Sequence, residues 1–282
     1  MAQSSCSQII RAELPDLTET ETKIAKYVLE NYEEVLQLNV SELAQRAGVS
    51  DASIVRFSKR LGYKGFIDFK MNMARDVIPE EKQFDPVLEQ GDGTDIACRK
   101  IFGSAIDVLN RTITLLNFET VHKAAVYILN AGKVAIFATG GSLVVALDAQ
   151  HKLMKIGIET IVYPDVDMQL MASTILGKDD VAICISFSGS NYNSNACMQH
   201  AKNNGARCIG ILSQKNSPLT KLTDVVIYSA YDETIFQSES TSTRIAQLAI
   251  IDCIVGEIAL QDYDKFNRAI SDTREAVSAN KY

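Results

Sequence analysis

The sequence predicts an α/β chain in two parts: a small all-helical N-terminal domain, then a larger domain built on a five-stranded parallel sheet. Three observations carry that prediction. Residues 1–77 show helical apolar spacing and no strand-like run. From residue 133, short apolar runs alternate with helical segments, the pattern of a parallel sheet covered on both faces. Between them, residues 78–95 hold two prolines, two glycines and many acids with no apolar period, which reads as a linker. The expected boundaries are therefore 1–77, 78–95 and 96–282.

The elements follow in order. In DLTETETKIAKYVLENYEEVLQL, Ile24, Tyr27, Val28 and Val35 keep helical spacing, and Thr18 with Glu21 forms a capping box. Ser41 is expected to cap a short helix through Ala47, which Gly48 ends. Ser50 is expected to cap a second, from Asp51 to Leu61, stopped by Gly62, and a further helix starts near Phe66. Residues 96–131 read as two helices. The strands are expected in KVAIFA, ETIVY, VAICIS, RCIGIL and DVVIYSA, with helices at 142–156, 167–176, 191–204 and 240–261. Five such strands fit a flavodoxin-like doubly wound sheet in the order 2-1-3-4-5. The C-terminal DYDKFNRAISDTREAVSANKY reads as a last helix. His151 is expected in the core or an interface, and Lys152 and Lys155 at the surface or a dimer face.

Composition narrows the function. The chain has 282 residues, 46% apolar and 22% charged, enough to bury a core without staples. A formal charge of -7 excludes a protein basic throughout. Yet Arg46, Arg56, Lys59, Arg60, Lys64, Lys70 and Arg75 face only Asp51 and Asp68 within residues 46–75. A basic stretch in an acidic chain suits a DNA-facing patch or, more plainly, a solvated helix face. None of the six cysteines forms a CxxC pair, and His122, His151 and His200 have no metal-ligand spacing with them. The expectation is a cytoplasmic protein with reduced thiols, no metal, no cofactor and no membrane partner.

VSELAQRAGVSDASIVRFSKRLG carries the first functional signal. Helix, glycine turn, helix is the helix-turn-helix arrangement, and equally a plain helical hairpin. Its second helix begins with short polar residues and continues into cations on one face. That suits entry into a major groove, with the first residues at base edges and the later cations on phosphates. Gly62 and Gly65 would expose backbone N–H groups at a turn holding Tyr63 and Lys64, where a phosphate oxygen could rest. The candidate DNA-binding residues are Ser41, Ser50, Asp51, Ser53, Arg56, Lys59, Tyr63 and Lys64.

The second signal lies where strand order reverses, outside the carboxyl ends of the first and third strands. Thr139-Gly140-Gly141-Ser142 and Phe187-Ser188-Gly189-Ser190-Asn191 each put small residues and hydroxyls before a helix. Unpaired N–H groups and the helix dipole favour an anion there. A serine nucleophile is the competing reading. A G-x-S-x-G elbow is absent around both Ser186 and Ser188, and only His200 follows as a base. No catalytic residue is assigned.

LTETETKIAKYVLEN, SELAQRAGVSDASIVRFSKRLGYKGFIDFK, HKLMKIG and TRIAQLAIIDCI resemble the RpiR family of bacterial transcription regulators over nearly the whole chain. The resemblance implies a helix-turn-helix domain joined to a SIS (sugar isomerase) domain that senses a phosphorylated sugar. It implies phosphate contacts from Ser142, Ser186, Ser188, the Gly189 backbone and position 191, with Gly140 and Gly141 in the same cradle. Asn191 stands where the family has Thr or Ser, and Asp167 where it often has His. Glu239 is the nearest match to the isomerases' proton-transfer glutamate, and is expected to cap a helix or bond a sugar hydroxyl. Asp165, Asp167 and Gln169 are further candidates for sugar hydroxyls. The implied partners are a double-stranded operator and a phosphosugar effector. Palindromic operators call for a homodimer or homotetramer. The expected function is a sugar-responsive regulator, a repressor of sugar-catabolism genes. The alternatives are an aldose–ketose isomerase of sugar phosphates with an accessory helical domain, and a phosphosugar-binding protein that docks protein.

Overall fold

The computed structural model describes residues 6–77, 88–89, 91–231 and 241–278. The expected linker lies largely outside these residues. Contacts divide the chain into two compact units, the first running through Ser104 and the second starting at Ala105, with the division inside the helix α7 (Thr94–Leu115).

The first unit is helical. It contains α1 (Cys6–Glu13), a 3-10 turn (Leu14–Asp16), α2 (Glu19–Glu30), α3 (Tyr32–Gln37), α4 (Val40–Ala47), α5 (Asp51–Arg60) and α6 (Phe66–Val77). Ile10, Ile24, Leu36, Leu43, Ile54, Phe57, Phe69 and Met73 fill one core, where the Phe57 and Phe69 rings meet edge to face at 5.9 Å. Thr18 and Glu21 form the expected capping box. Three details differ from the sequence reading. α1, an eight-residue helix that buries Cys6 and Ile10, gives too little periodicity to detect. The stretch expected as one helix breaks at Asn31, which is not helical (φ -128, ψ 42) and whose Nδ2 donates to Tyr27 O. The cap of α4 is Asn39, not Ser41. Its Oδ1 accepts from Ser41 N and Glu42 N, and Glu42 accepts from Asn39 N in return. Asn39 stands two residues earlier and offers an equally good capping oxygen.

The second unit carries α8 (Phe118–Leu129), β1 (Val134–Phe137), α9 (Gly141–Lys155), β2 (Thr160–Val162), α10 (Val166–Thr174), β3 (Val181–Ser186), α11 (Tyr192–Asn203), β4 (Arg207–Leu212), β5 (Val225–Tyr228), α12 (Thr241–Gln261) and α13 (Tyr263–Ser278). The five strands are all parallel, in the order β2-β1-β3-β4-β5. β3 is buried on both faces and sorts its residues by parity. Val181, Ile183 and Ile185 face α8, α9 and α12, while Ala182 and Cys184 face α10 and α11. Burial pushes the Cys197 thiol up to about 11 and that of Cys208 to about 12, so both behave as small core residues. His151 is exposed on α9 rather than in the core. Lys152 joins Asp148 on α9 to Asp252 on α12. Among the described residues no helix is long and apolar enough to cross a membrane.

Candidate functional site

In the first unit, α4 and α5 meet through Gly48, which takes the left-handed conformation (φ 66, ψ 39) that lets the chain reverse. Ser50 caps α5 by accepting from Ser53 N. The hydroxyl of Ser41 donates to Asp51 Oδ2 at 2.6 Å, which ties the body of α4 to the start of α5. Ser53, expected at a base edge, is turned inward: it is 8% exposed, and its hydroxyl meets Ser50 Oγ and Arg56 Nη2. Arg56, Lys59 and Lys64 carry exposed side chains.

Other cations of the basic stretch are engaged within the unit. Arg46 pairs with Glu34, Arg60 bonds Glu21 and the Asp16 carbonyl, and Lys70 Nζ donates to Leu38 O. The turn after α5 is also more closed than its glycines suggested. Gly62 N donates to Lys59 O, Tyr63 N to Ser58 O, and Lys64 N to Asp68 Oδ2. Tyr63 packs its ring on Phe69 and its hydroxyl lies 2.8 Å from Cys6 Sγ. Of the two N–H groups expected to meet a phosphate, that of Gly62 is therefore used in ending α5.

In the second unit, β1 and β3 pair directly, which brings the loops at 138–140 and 187–191 to neighbouring strand ends. The N-cap of α9 is Gly140 (φ 57, ψ -134), a conformation open to glycine alone, and no side chain caps the helix. Its first N–H groups have no intrahelical acceptor. Beside it, Ser186 is 8% exposed and its Oγ accepts from Gly189 N at 3.0 Å. Ser188 Oγ accepts from Ser190 N. Both hydroxyls act as acceptors here and donate to no atom of the described residues, which leaves each a proton to donate. Ser142 is half-buried in the first turn of α9.

Two members of the expected cradle have other tasks. Gly189 N–H, expected at the phosphate, bonds Ser186, and Gly189 O accepts from Leu219 N and Asn195 Nδ2. Asn191 is the N-cap of α11, its Oδ1 accepting from Ser194 N at 3.0 Å. Its amide nitrogen is therefore the group left to meet a ligand. Glu239 lies outside the described residues. Gln169 is no sugar contact: it is 2% exposed, and Nε2 donates to the carbonyls of Ala138 and Tyr163. It staples the ends of β1 and β2. Asp165 caps α10 through Met168 N, and Asp167 is exposed. Among the described residues no group of His, Cys, Asp or Glu has the arrangement of a metal site. His200 is exposed two turns along α11, away from either serine.

A family model for the helix-turn-helix domain of the rpiR family matches residues 5–80, and one for the SIS domain matches residues 127–255. An HTH-type transcriptional regulator of Caldanaerobacter subterraneus subsp. tengcongensis is 34% identical over 273 residues, spanning 97% of each chain. The regulator RpiR of Escherichia coli K12 is 28% identical over 264 residues, covering 92% of this chain and 87% of its own. Among solved structures, NanR of Vibrio vulnificus complexed with ManNAc-6P matches with TM-score 0.80 and 22% identity, covering 98% of both chains. The sugar isomerase domain of an RpiR transcription factor from Sphaerobacter thermophilus matches at TM-score 0.56 and 22% identity, over 62% of this chain and 97% of that one. These two likenesses are of fold.

Proposed function

The chain belongs to the rpiR family of helix-turn-helix transcriptional regulators with a SIS domain, and from that premise we propose that it represses sugar-catabolism genes under the control of a phosphorylated sugar. The architecture is that of a regulator rather than an enzyme. One observation supports the effector reading above the others: Ser186 and Ser188 accept from backbone N–H groups and donate to no atom of the described residues, so each has a proton to offer a ligand. Beside the uncapped start of α9, they form a donor-rich cradle, which is what a phosphate needs. Ser142 and the Asn191 amide complete it. That NanR was solved with ManNAc-6P supports a sugar phosphate as the ligand class.

The operator is met by the start of α5. Ser50 and Asp51 lie at the groove end, and Arg56, Lys59 and Lys64 supply charge. An effector controls operator binding only by favouring one arrangement of the protein over another. A homodimer is the working assembly, since a two-fold protein matches a palindromic operator. On α9, Val144, Leu147 and Met154 are exposed at spacings of one helix face, and this stripe supports self-association.

The test uses DNA from upstream of the protein's own gene and a panel of sugar phosphates that includes N-acetylmannosamine 6-phosphate. Arg56→Ala should weaken operator binding by about 1–3 kcal/mol while thermal stabilisation by the effector persists. Ser186→Ala with Ser188→Ala should abolish the effector response and leave operator affinity unchanged. Equal operator affinity in Arg56→Ala, or an unchanged effector response in the serine pair, would count against the assignment.

A further inference from the structure

Arg244, in the first turn of α12, lies against the cradle without a partner among the described residues. A Cβ built on Gly141 would sit 3.2 Å from Arg244 Nη2 and 3.4 Å from both Cζ and Nε. The guanidinium therefore lies face-on over the first turn of α9. It is half-buried and makes no hydrogen bond or ion pair with the described residues.

Its surroundings are positive in character. The N-cap of α9 is Gly140, which brings no capping oxygen, so the helix offers bare N–H groups and the positive end of its dipole. Placing a guanidinium beside them is unfavourable unless an anion sits between. The nearest carboxylate along α9, Asp148, is engaged by Lys152. One turn along α12, on the same face as Arg244, Gln247 is 2% exposed and its Nε2 has no acceptor. A buried donor without an acceptor is uncommon in a folded protein and calls for an unseen partner. The other described groups of the cradle, Ser142, Ser186, Ser188 and Asn191, carry no charge.

We propose that Arg244 is the fixed cation of this site, binding the ligand's phosphate in its dianionic form across the start of α9. With glycine at 141 the guanidinium keeps this close approach, from which a Cβ would push it back by a few tenths of an ångström. The proposal rests on the sugar-phosphate reading above and deepens it by naming the charged group. It also has a consequence that neutral donors would not give. A phosphate monoester gains its second charge near pH 6, so affinity should climb through that pH when a guanidinium faces the phosphate.

The experiment titrates hexose and N-acetylhexosamine 6-phosphates into the full chain between about pH 5.5 and 7.5, by calorimetry and thermal shift. Wild type is compared with Arg244→Gln, Arg244→Lys and the Ser186→Ala, Ser188→Ala pair. Arg244→Gln should weaken the stabilising ester by about 10- to 100-fold and flatten the rise of affinity with pH. Arg244→Lys should retain the rise and part of the affinity. Wild type needs no substitution for the second measurement, in which the bound ester should slow phenylglyoxal labelling of Arg244, followed by peptide mass spectrometry. Arg244→Gln binding like wild type while the serine pair fails to bind would overturn the role of Arg244 and leave the sugar-phosphate reading standing. A wild type that no ester stabilises overturns both. Should Arg244→Gln not fold, labelling decides, and labelling undiminished by the ester overturns the proposal.

Discussion

At Gly189 a single missing Cβ holds the serine loop in place. The residue has φ +62, and a Cβ there would lie 2.2 Å from Ser217 Oγ and 2.7 Å from Ser217 Cβ. Positive φ costs a non-glycine residue roughly 1–2 kcal/mol, and overpacking adds about 1–3 kcal/mol. Gly189→Ala should therefore destabilise the second unit by about 2–5 kcal/mol in urea unfolding. Adding Ser217→Gly should recover the packing part and leave the backbone part. At this scale the sequence was legible where chemistry is local. Thr18, Gly48 and Ser50 cap or end helices as their types require. It was not legible where a partner comes from far along the chain. Arg46 finds Glu34, Arg60 finds Glu21, and the Gln169 amide finds the Ala138 carbonyl. No spacing rule announces such pairs, so Gln169 looked like a ligand contact and Arg244 was passed over.

Among the elements, α6 carries an unusual lysine. Lys70 packs along the Phe66 ring, with Nζ 5.7 Å from its centre, and donates to Leu38 O. Burial, partly offset by Glu42, pushes its pKa down to about 8 from 10.5. The folded state thus releases this proton before the unfolded chain does. Stability should rise with pH between about 8 and 10.5, because the unfolded chain holds more protons there. Below about pH 8 the full burial cost is present. Lys70→Met should remove this dependence, and the difference between the two proteins' calorimetric stabilities should shrink by about 1–3 kcal/mol across that window. A difference independent of pH would contradict the assignment. Most elements were legible because their periods are long: the five apolar runs became the five strands, in the order the helical segments between them imply. α1 and the break between α2 and α3 were not. Eight residues with two buried positions, and one non-helical asparagine, lie below what periodicity resolves.

For the whole molecule, each unit has its own apolar core. A ligand present at 100 times its Kd adds about 2.7 kcal/mol to the state that binds it. The sugar phosphate should therefore raise the unfolding transition of the second unit. Assembly is tested on α9. Leu147→Glu with Met154→Glu should convert a dimer or tetramer into monomer by light scattering, and should lower operator affinity, since one half-site then binds alone. The ion pairs of the first unit bear on the operator in a further way. DNA sheds condensed counterions as cations meet its phosphates, and log affinity falls with log salt by about 0.9 per phosphate neutralised. With Arg46 held by Glu34 and Arg60 by Glu21, Arg56, Lys59 and Lys64 are the exposed, unengaged cations of the basic stretch among the described side chains, which do not include that of Arg75. The salt slope should then be about -3 per protomer, half of what the raw count of basic residues suggests. A regulator with so shallow a slope holds its operator mainly through shape and base contacts, and keeps its selectivity when the ionic strength around it changes.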